Sequence, residues 1–264
     1  MTDRVELPLS GAAFGVDPSF VELLRRQRPE AMPASAQAAV AVDVAQATTV
    51  LGLRYAEGIV MAGDRRATAG YTIADAKMKK VFAADDFSAI AIAGAAGQAV
   101  ETVRLFQLEL EHYEKLTGDR LSLEGKANRL AQMIRANFPL ALQGLVVVPL
   151  FGGYDEGRSE GRLFYYDATG GRWEEQDYQS TGSGAQPAKN SLKKRWRPGL
   201  DHDDAMRVAV EALIDAAEDD VATGGPDLAR GIFPVVVTVT AQGARESTDE
   251  EVATAVRAVV ETRS

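Results

Sequence analysis

The order in which the hydrophobic period changes along the chain is the tightest constraint on its fold. Just after Ala47 the pattern is strand-like. TTVLGLRY, a short turn at Glu57-Gly58 and IVMAGD read as a β-hairpin. A further hairpin-like pair is expected within TAGYTIADAKMKKVFAAD, and FSAIAIAG reads as an apolar strand running into glycine. The period then becomes helical. Ala99, Val103, Phe106, Leu110 and Tyr113 mark one face, and Leu123, Ala127, Leu130 and Ile134 mark another, with Thr117-Gly118-Asp119 breaking the two apart. Strands resume in LVVVPLFGGY, GRLFYYD and RWEEQDYQS. A helix through Met206, Val210, Leu213 and Ala217, the strand IFPVVVTVT and a charged helix from about Thr248 close the chain. Runs of strands alternate with helical pairs rather than with single crossovers. That order predicts an α+β fold, a four-layer αββα sandwich with antiparallel sheets covered by helices, over a parallel doubly wound sheet.

Residues 1–46 do not share this pattern. They are rich in alanine and proline (Pro8, Pro18, Pro29, Pro33), and their one amphipathic stretch, FVELLRR, is too short to hold a helix alone. By composition they read as a disordered appendage with no core of their own. Residues 48–264 are expected to form the folded domain.

Several functions are excluded by what the chain lacks. A net charge of −9 over 264 residues argues against wrapping nucleic acid, which asks for a basic face. With no cysteine there is no disulfide framework and no thiolate chemistry. Two histidines, His112 and His202, cannot build a multi-histidine metal centre, and no metal or cofactor is expected; His112 sits among acidic neighbours and reads as exposed. MTDRVELPLSGAAFG lacks the basic and apolar regions of a secretory signal, no apolar run approaches the ~18 residues of a membrane span, and a cytoplasmic location is expected. GxSxG and Walker A patterns are absent. AIAGAAGQAVE is only a weak dinucleotide-loop signal, because tight strand-to-helix turns use glycine anyway.

What remains is the junction Ala47-Thr48-Thr49, followed by Asp64 in GDRRAT at the end of the second strand and Lys80 in KMKKVF. Each has an ordinary reading alone. Asp64 could cap a turn with Arg65 or Arg66 as partner, and Lys80 lies with Lys77 and Lys79 in what is usually a solvated cluster.

Taken together, ATTVLGLRYAEGIVMAGDRRAT, the lysine of KMKKVF and AIAGAAG resemble the N-terminal half of proteasome β subunits, most closely the actinobacterial 20S type. LFQLELEHYEKL, the GSG of STGSGA and DDVATGGPDLARGIFP extend the resemblance over residues 47–243. The family is one of N-terminal nucleophile hydrolases, whose αββα sandwich agrees with the fold read from periodicity.

The resemblance implies a threonine endopeptidase made as a zymogen. Residues 1–47 are removed by autocatalytic cleavage between Ala47 and Thr48, and Thr48 becomes the N-terminus and nucleophile. The spacings to Asp64 and Lys80 favour Thr48 over Thr49. Asp64 and Lys80 match the acid and lysine behind the nucleophile, and Gly94 matches the glycine whose N–H faces the oxyanion. Ser183, Asp220 and Thr223 match a supporting polar group, with Thr223 where many relatives carry serine; Ser183 and Asp220 would otherwise read as helix caps. Ala47 stands where many members have glycine. Ala67, Met78, Ile92 and Ala96 match the pocket for the side chain before the cut, and their apolar character implies cleavage after apolar residues. The implied partners are a homo-heptameric β ring, an α subunit in a stacked α7β7β7α7 barrel, an ATPase unfoldase ring and pupylated protein substrates. A non-catalytic ring subunit and a small-molecule amidase of the same superfamily remain the alternatives.

The chemistry suits such a set. A threonine hydroxyl needs a base, and a free α-amine, titrating near ~7.7–8.0, can serve where an amide nitrogen cannot. A lysine beside the hydroxyl favours alkoxide character, an acid keeps that lysine charged, and a backbone N–H at a strand-to-helix turn can meet the developing oxyanion.

Overall fold

Both faces of the central strands are buried, which explains why they read as continuous apolar runs rather than as alternating ones. The computed structural model describes residues 48–69 and 72–263. The appendage, with its FVELLRR stretch and Ala47, lies outside the described residues.

Two five-stranded antiparallel sheets carry the fold. The first has the order β10-β1-β2-β11-β12, built from β1 (Thr49–Tyr55), β2 (Gly58–Gly63), β10 (Tyr178–Gly182), β11 (Val235–Thr240) and β12 (Gly243–Glu246). The second has the order β5-β6-β7-β8-β9, built from β5 (Val81–Asp85), β6 (Ser88–Gly94), β7 (Val147–Asp155), β8 (Glu160–Tyr166) and β9 (Arg172–Glu175). A small hairpin, β3 (Ala67–Ala69) with β4 (Thr72–Asp75), stands apart from both. The helices are α1 (Ala96–Thr117), α2 (Leu123–Ala136), the one-turn α3 (Phe138–Ala141), α4 (Ala185–Arg195), α5 (His202–Asp219) and α6 (Asp249–Arg263).

The period-2 alternation of strand side chains sorts the core into three slabs. Val50, Ile59, Met61, Val235, Val237 and Val239 of the first sheet meet Ala89, Ala91, Leu150 and Leu163 of the second. The residues between them in sequence point outward. Leu51, Leu53, Val60 and Val236 pack under α4, α5 and α6. Ile90, Ile92, Phe151 and Phe164 pack under α1 and α2. The layers are therefore helices, sheet, sheet, helices, the αββα sandwich expected from the sequence. The sheets approach so closely that a Cβ on Gly161 would fall 2.4 Å from the Gly58 carbonyl carbon.

Local chemistry sets the element ends. Gly118, at φ +78°, closes α1 by donating its N–H to the Glu114 carbonyl. Ser122 Oγ caps α2 by accepting the Gly125 N–H at 3.1 Å, and Asp201 caps α5 by accepting the Asp204 N–H at 2.8 Å. Thr248 and Glu251 form a reciprocal capping box at the start of α6.

The structure corrects the sequence reading in four places. RWEEQDYQS is two strands, not one: β9 pairs β8, the chain bends at Gln176-Asp177, and β10 pairs β1 in the other sheet. Helix α4 was not anticipated. Its apolar stripe is only Ala188 and Leu192, and Pro187 in its first turn looks like a breaker although the first turn tolerates proline. Strand β12 is short and polar and left no apolar signal. Tyr113 follows the α1 spacing but is exposed, because the last turns of α1 run past the core. Exposed Leu105, Leu108, His112 and Leu116 share one outward stripe of the same helix.

Candidate active site

Asp64 follows the last residue of β2, and its fully buried carboxylate accepts four hydrogen bonds. Oδ1 accepts the Thr49 N–H at 2.8 Å and the Lys80 ammonium at 2.7 Å. Oδ2 accepts the Arg66 and Gly224 N–H groups, each at 2.9 Å. All its lone-pair sites are thereby used, which makes an ionised carboxylate tolerable at 0% exposure. The turn-capping reading of Asp64 holds only for backbone: its ionic partner is Lys80, not the guanidinium of Arg65 or Arg66.

Lys80 immediately precedes β5 and is 1% exposed, unlike its neighbours. Lys77 is exposed, and Lys79 pairs at the surface with Glu246. The Lys80 ammonium donates to Asp64 and to the Arg66 carbonyl. Burial pushes this ammonium below the ordinary lysine range, with Asp64 pulling the other way and the Arg66 charge adding to the fall. Gly63 makes room for Val50 and Val81, since a Cβ there would lie 2.9 and 3.0 Å from them, with the Lys80 Cβ at an ordinary 3.6 Å. Val50 and Lys80 thus lie on the same side of β2.

The Thr48 carbonyl is pinned from the start of α4. It accepts the Ser183 N–H at 2.8 Å, with Ser183 Oγ at 3.4 Å. Gly182, at φ +108°, allows this approach; a Cβ on it would sit 1.8 Å from the Thr48 oxygen.

Asp220 follows α5 and gathers the hydroxyls. Its Oδ2 accepts from Ser183 Oγ and from Thr223 Oγ1, both at 2.6 Å, and its Oδ1 accepts the Ala222 N–H at 3.2 Å. Burial alone would raise the Asp220 carboxyl, but these donors outweigh it and hold the group below the usual carboxylate range. Ser183 is not a helix cap, as the ordinary reading had it: Gly184 occupies that position, and the Ser183 hydroxyl goes to Asp220.

Thr49 is the residue whose part sequence reasoning missed. It is fully buried, and its hydroxyl accepts the Gly184 N–H at 2.9 Å and lies 2.5 Å from Thr223 Oγ1. The Thr49 hydroxyl is thereby engaged within the fold on both sides. A strand start at Thr49, with side chains alternating, was the available signal.

Gly94 ends β6 at φ +119°, at the strand-to-helix turn into α1, where a Cβ would fall 2.0 Å from the Val146 carbonyl oxygen. The four expected pocket residues are spread over this region. Ala67 begins β3 and Met78, half-buried, donates its N–H to the Arg65 carbonyl. Ala96 opens α1, and Ile92 is buried with Ala99 and Val103 beneath that helix.

Comparison with known proteins identifies the family. The proteasome subunit family model matches residues 44–227. A curated relative from Acidimicrobium ferrooxidans, named proteasome subunit beta, is 53% identical over 253 residues, which is 95% of this chain and 93% of the relative. A proteasome subunit beta from Streptomyces griseus is 52% identical over 248 residues, covering 93% of this chain and 88% of its own. The chain belongs to the proteasome subunit family as a β subunit, a threonine-type endopeptidase of the multi-subunit barrel that β subunits form with α subunits.

Proposed function

We propose that this β subunit is made as a zymogen, cut between Ala47 and Thr48, and that Thr48 Oγ1 is the nucleophile. The observation that carries this reading is the Asp64 oxygen that holds both the Thr49 N–H and the Lys80 ammonium. It ties the Lys80 ammonium to the backbone of Thr49, the residue after the one that would become the N-terminus. Alternation along β1 gives Thr48 the Val50 side, the side that Lys80 occupies.

In the mature chain the freed α-amine accepts the Thr48 hydroxyl proton as Oγ1 attacks the substrate carbonyl carbon. The carbonyl oxygen becomes an oxyanion that meets the Gly94 N–H. The ammonium returns the proton to the departing amine, the peptide bond breaks, and an acyl-enzyme ester remains on Thr48. Water, deprotonated by the same amine, cleaves the ester. Asp64 keeps Lys80 oriented, and Ser183, Asp220 and Thr223 support the end of the chain. With residues 1–47 attached, nitrogen 48 is an amide and cannot serve as base.

The substrate side chain before the cut is apolar in this reading, in a pocket of Ala67, Met78, Ile92 and Ala96. The ring is a homo-heptamer. The stripe of exposed Leu105, Leu108 and Leu116 on α1 supports a subunit contact there. An ATPase unfoldase ring feeds the barrel with pupylated proteins in the cytoplasm. Among the described residues no helix is long and apolar enough to cross a membrane.

N-terminal sequencing of the chain assembled with its α subunit tests the reading. A start at Thr48, with faster hydrolysis of fluorogenic peptides after large apolar than after acidic residues, is expected. Retention of Met1 in active assemblies overturns it.

A further inference from the structure

Asp220, Ser183, Gly184, Thr49 and Thr223 form a closed ring of polar contacts. Thr223 donates its only hydroxyl proton to Asp220 Oδ2 at 2.6 Å. Its oxygen is therefore the acceptor in the 2.5 Å contact with Thr49, and the Thr49 proton points at Thr223. The Thr49 oxygen accepts the Gly184 N–H at 2.9 Å. Gly184 follows Ser183, whose hydroxyl returns to the same Asp220 oxygen at 2.6 Å. Each proton in this circuit has one direction. The glycine is part of the design: a Cβ on Gly184 would lie 2.6 Å from both the Thr49 and Thr223 hydroxyl oxygens and 3.2 Å from Asp220 Oδ2. Any side chain here would collide with the two hydroxyls.

Thr49 is the ring member next to Thr48, at the first position of β1, and every polar atom it has is engaged. Its N–H goes to Asp64 Oδ1 at 2.8 Å, and its carbonyl accepts the Asp64 N–H at 3.1 Å. One residue thus joins the Asp64–Lys80 pair to the Asp220 circuit.

We infer that Thr49 is a positioning residue for the proteolytic reaction: its hydroxyl, through Gly184 and Thr223, sets where Ser183 and Asp220 stand relative to the end of β1. This rests on the reading of Thr48 as the nucleophile. Threonine suits the task because β-branching restricts χ1 and aims the hydroxyl before the ring closes. Valine keeps the shape and loses the hydroxyl, whereas serine keeps the hydroxyl and loses a methyl.

The test uses the full chain co-assembled with its α subunit, as wild type, T49V, T49S, T223V and the T49V/T223V double variant. Intact mass fixes each N-terminus, and peptide hydrolysis gives kcat and KM. T49V is expected to lower kcat by roughly ten- to hundredfold, the scale of a small misplacement of reacting groups, with KM changed by less than about twofold. T49S is expected to stay within about threefold of wild type, and the double variant to be little worse than T223V, because both act through one circuit. If T49V does not assemble, T49A is expected to show the same kcat loss. T49V, or in its place T49A, with wild-type kcat on a chain starting at Thr48 overturns the inference alone; so does T49S as impaired as T49V. A wild-type chain that starts elsewhere overturns the Thr48 reading and this inference with it.

Discussion

The Lys80 ammonium lies 2.7 Å from Asp64 Oδ1, and the two side chains are 1% and 0% exposed. A pair buried this deeply gains little over an apolar substitute, but breaking it from one side is costly. The two sides are not equivalent, because Asp64 has three further N–H donors.

Asp64→Asn is therefore expected to be more damaging than Lys80→Met. Asparagine turns an NH2 group toward backbone donors and also strands the lysine, for a loss of about 3–5 kcal/mol. Lys80→Met leaves a carboxylate that still accepts three backbone N–H groups, so its stability loss is smaller, although peptide hydrolysis is expected to vanish. Denaturant midpoints of the two variants decide the order; K80M at or below D64N contradicts this account.

The contrast between Lys80 and Lys79 also shows how far the sequence could be read. The sandwich was legible because buried strands and amphipathic helices carry their own periods. The burial of Lys80 was legible only through the family resemblance, since a lysine cluster has no period of its own. Helix α4 went unseen because two apolar residues make too thin a stripe. The Thr49 circuit joins residues separated by 135 to 174 positions and includes a glycine N–H, which no local pattern reports.

Thr223→Ser is expected to be mild. The hydroxyl that donates to Asp220 and accepts from Thr49 is retained, and only a buried methyl is lost, worth about 1 kcal/mol. Thr223→Val keeps the volume, leaves Thr49 a donor without an acceptor and removes one donor from Asp220. Its cost is about 1–3 kcal/mol together with a fall in kcat. Thermal unfolding and peptide hydrolysis on both variants check this; equal effects would show that the methyl, not the hydroxyl, matters.

Three glycines with positive φ separate backbone strain from collision. A methyl added at Gly118, at φ +78°, would meet nothing within 4 Å, so Gly118→Ala is expected to cost only the ~1–2 kcal/mol of a left-handed residue. Gly94→Ala and Gly182→Ala add contacts of 2.0 and 1.8 Å with carbonyl oxygens. Both are expected to exceed that cost, and Gly182→Ala to abolish hydrolysis, because the oxygen it strikes belongs to Thr48. Urea unfolding of the three alanine variants tests the ranking; G118A as destabilised as G182A contradicts it.

The last expectation concerns acid, and it comes from the far side of the molecule. Arg162, 3% exposed at its side chain, donates to Glu174 at 2.6 Å, Glu124 at 2.7 Å and Asp155 at 2.9 Å. Hydrogen bonds from Arg162 hold Glu174 below the usual range. Burial alone would raise Asp155 and Glu124, but the guanidinium contacts outweigh it and both also lie low. Carboxyls depressed in the folded state add stability that is fully present above their ordinary values, near ~4, and lost as pH falls through the folded ones. Stability of the wild type should therefore drop as pH goes below about 4. Arg162→Met removes the cation that the three acids share and leaves Glu124 only its pairing with Arg172 at 2.5 Å, at a cost near the lower end of ~3–5 kcal/mol at pH 7, since all three are partly exposed. Their pKa values then rise, so the acid loss of stability should flatten or change sign in this variant. Denaturant midpoints between pH 3 and pH 7 measure it, and parallel curves for wild type and R162M would show that this cluster does not control acid stability.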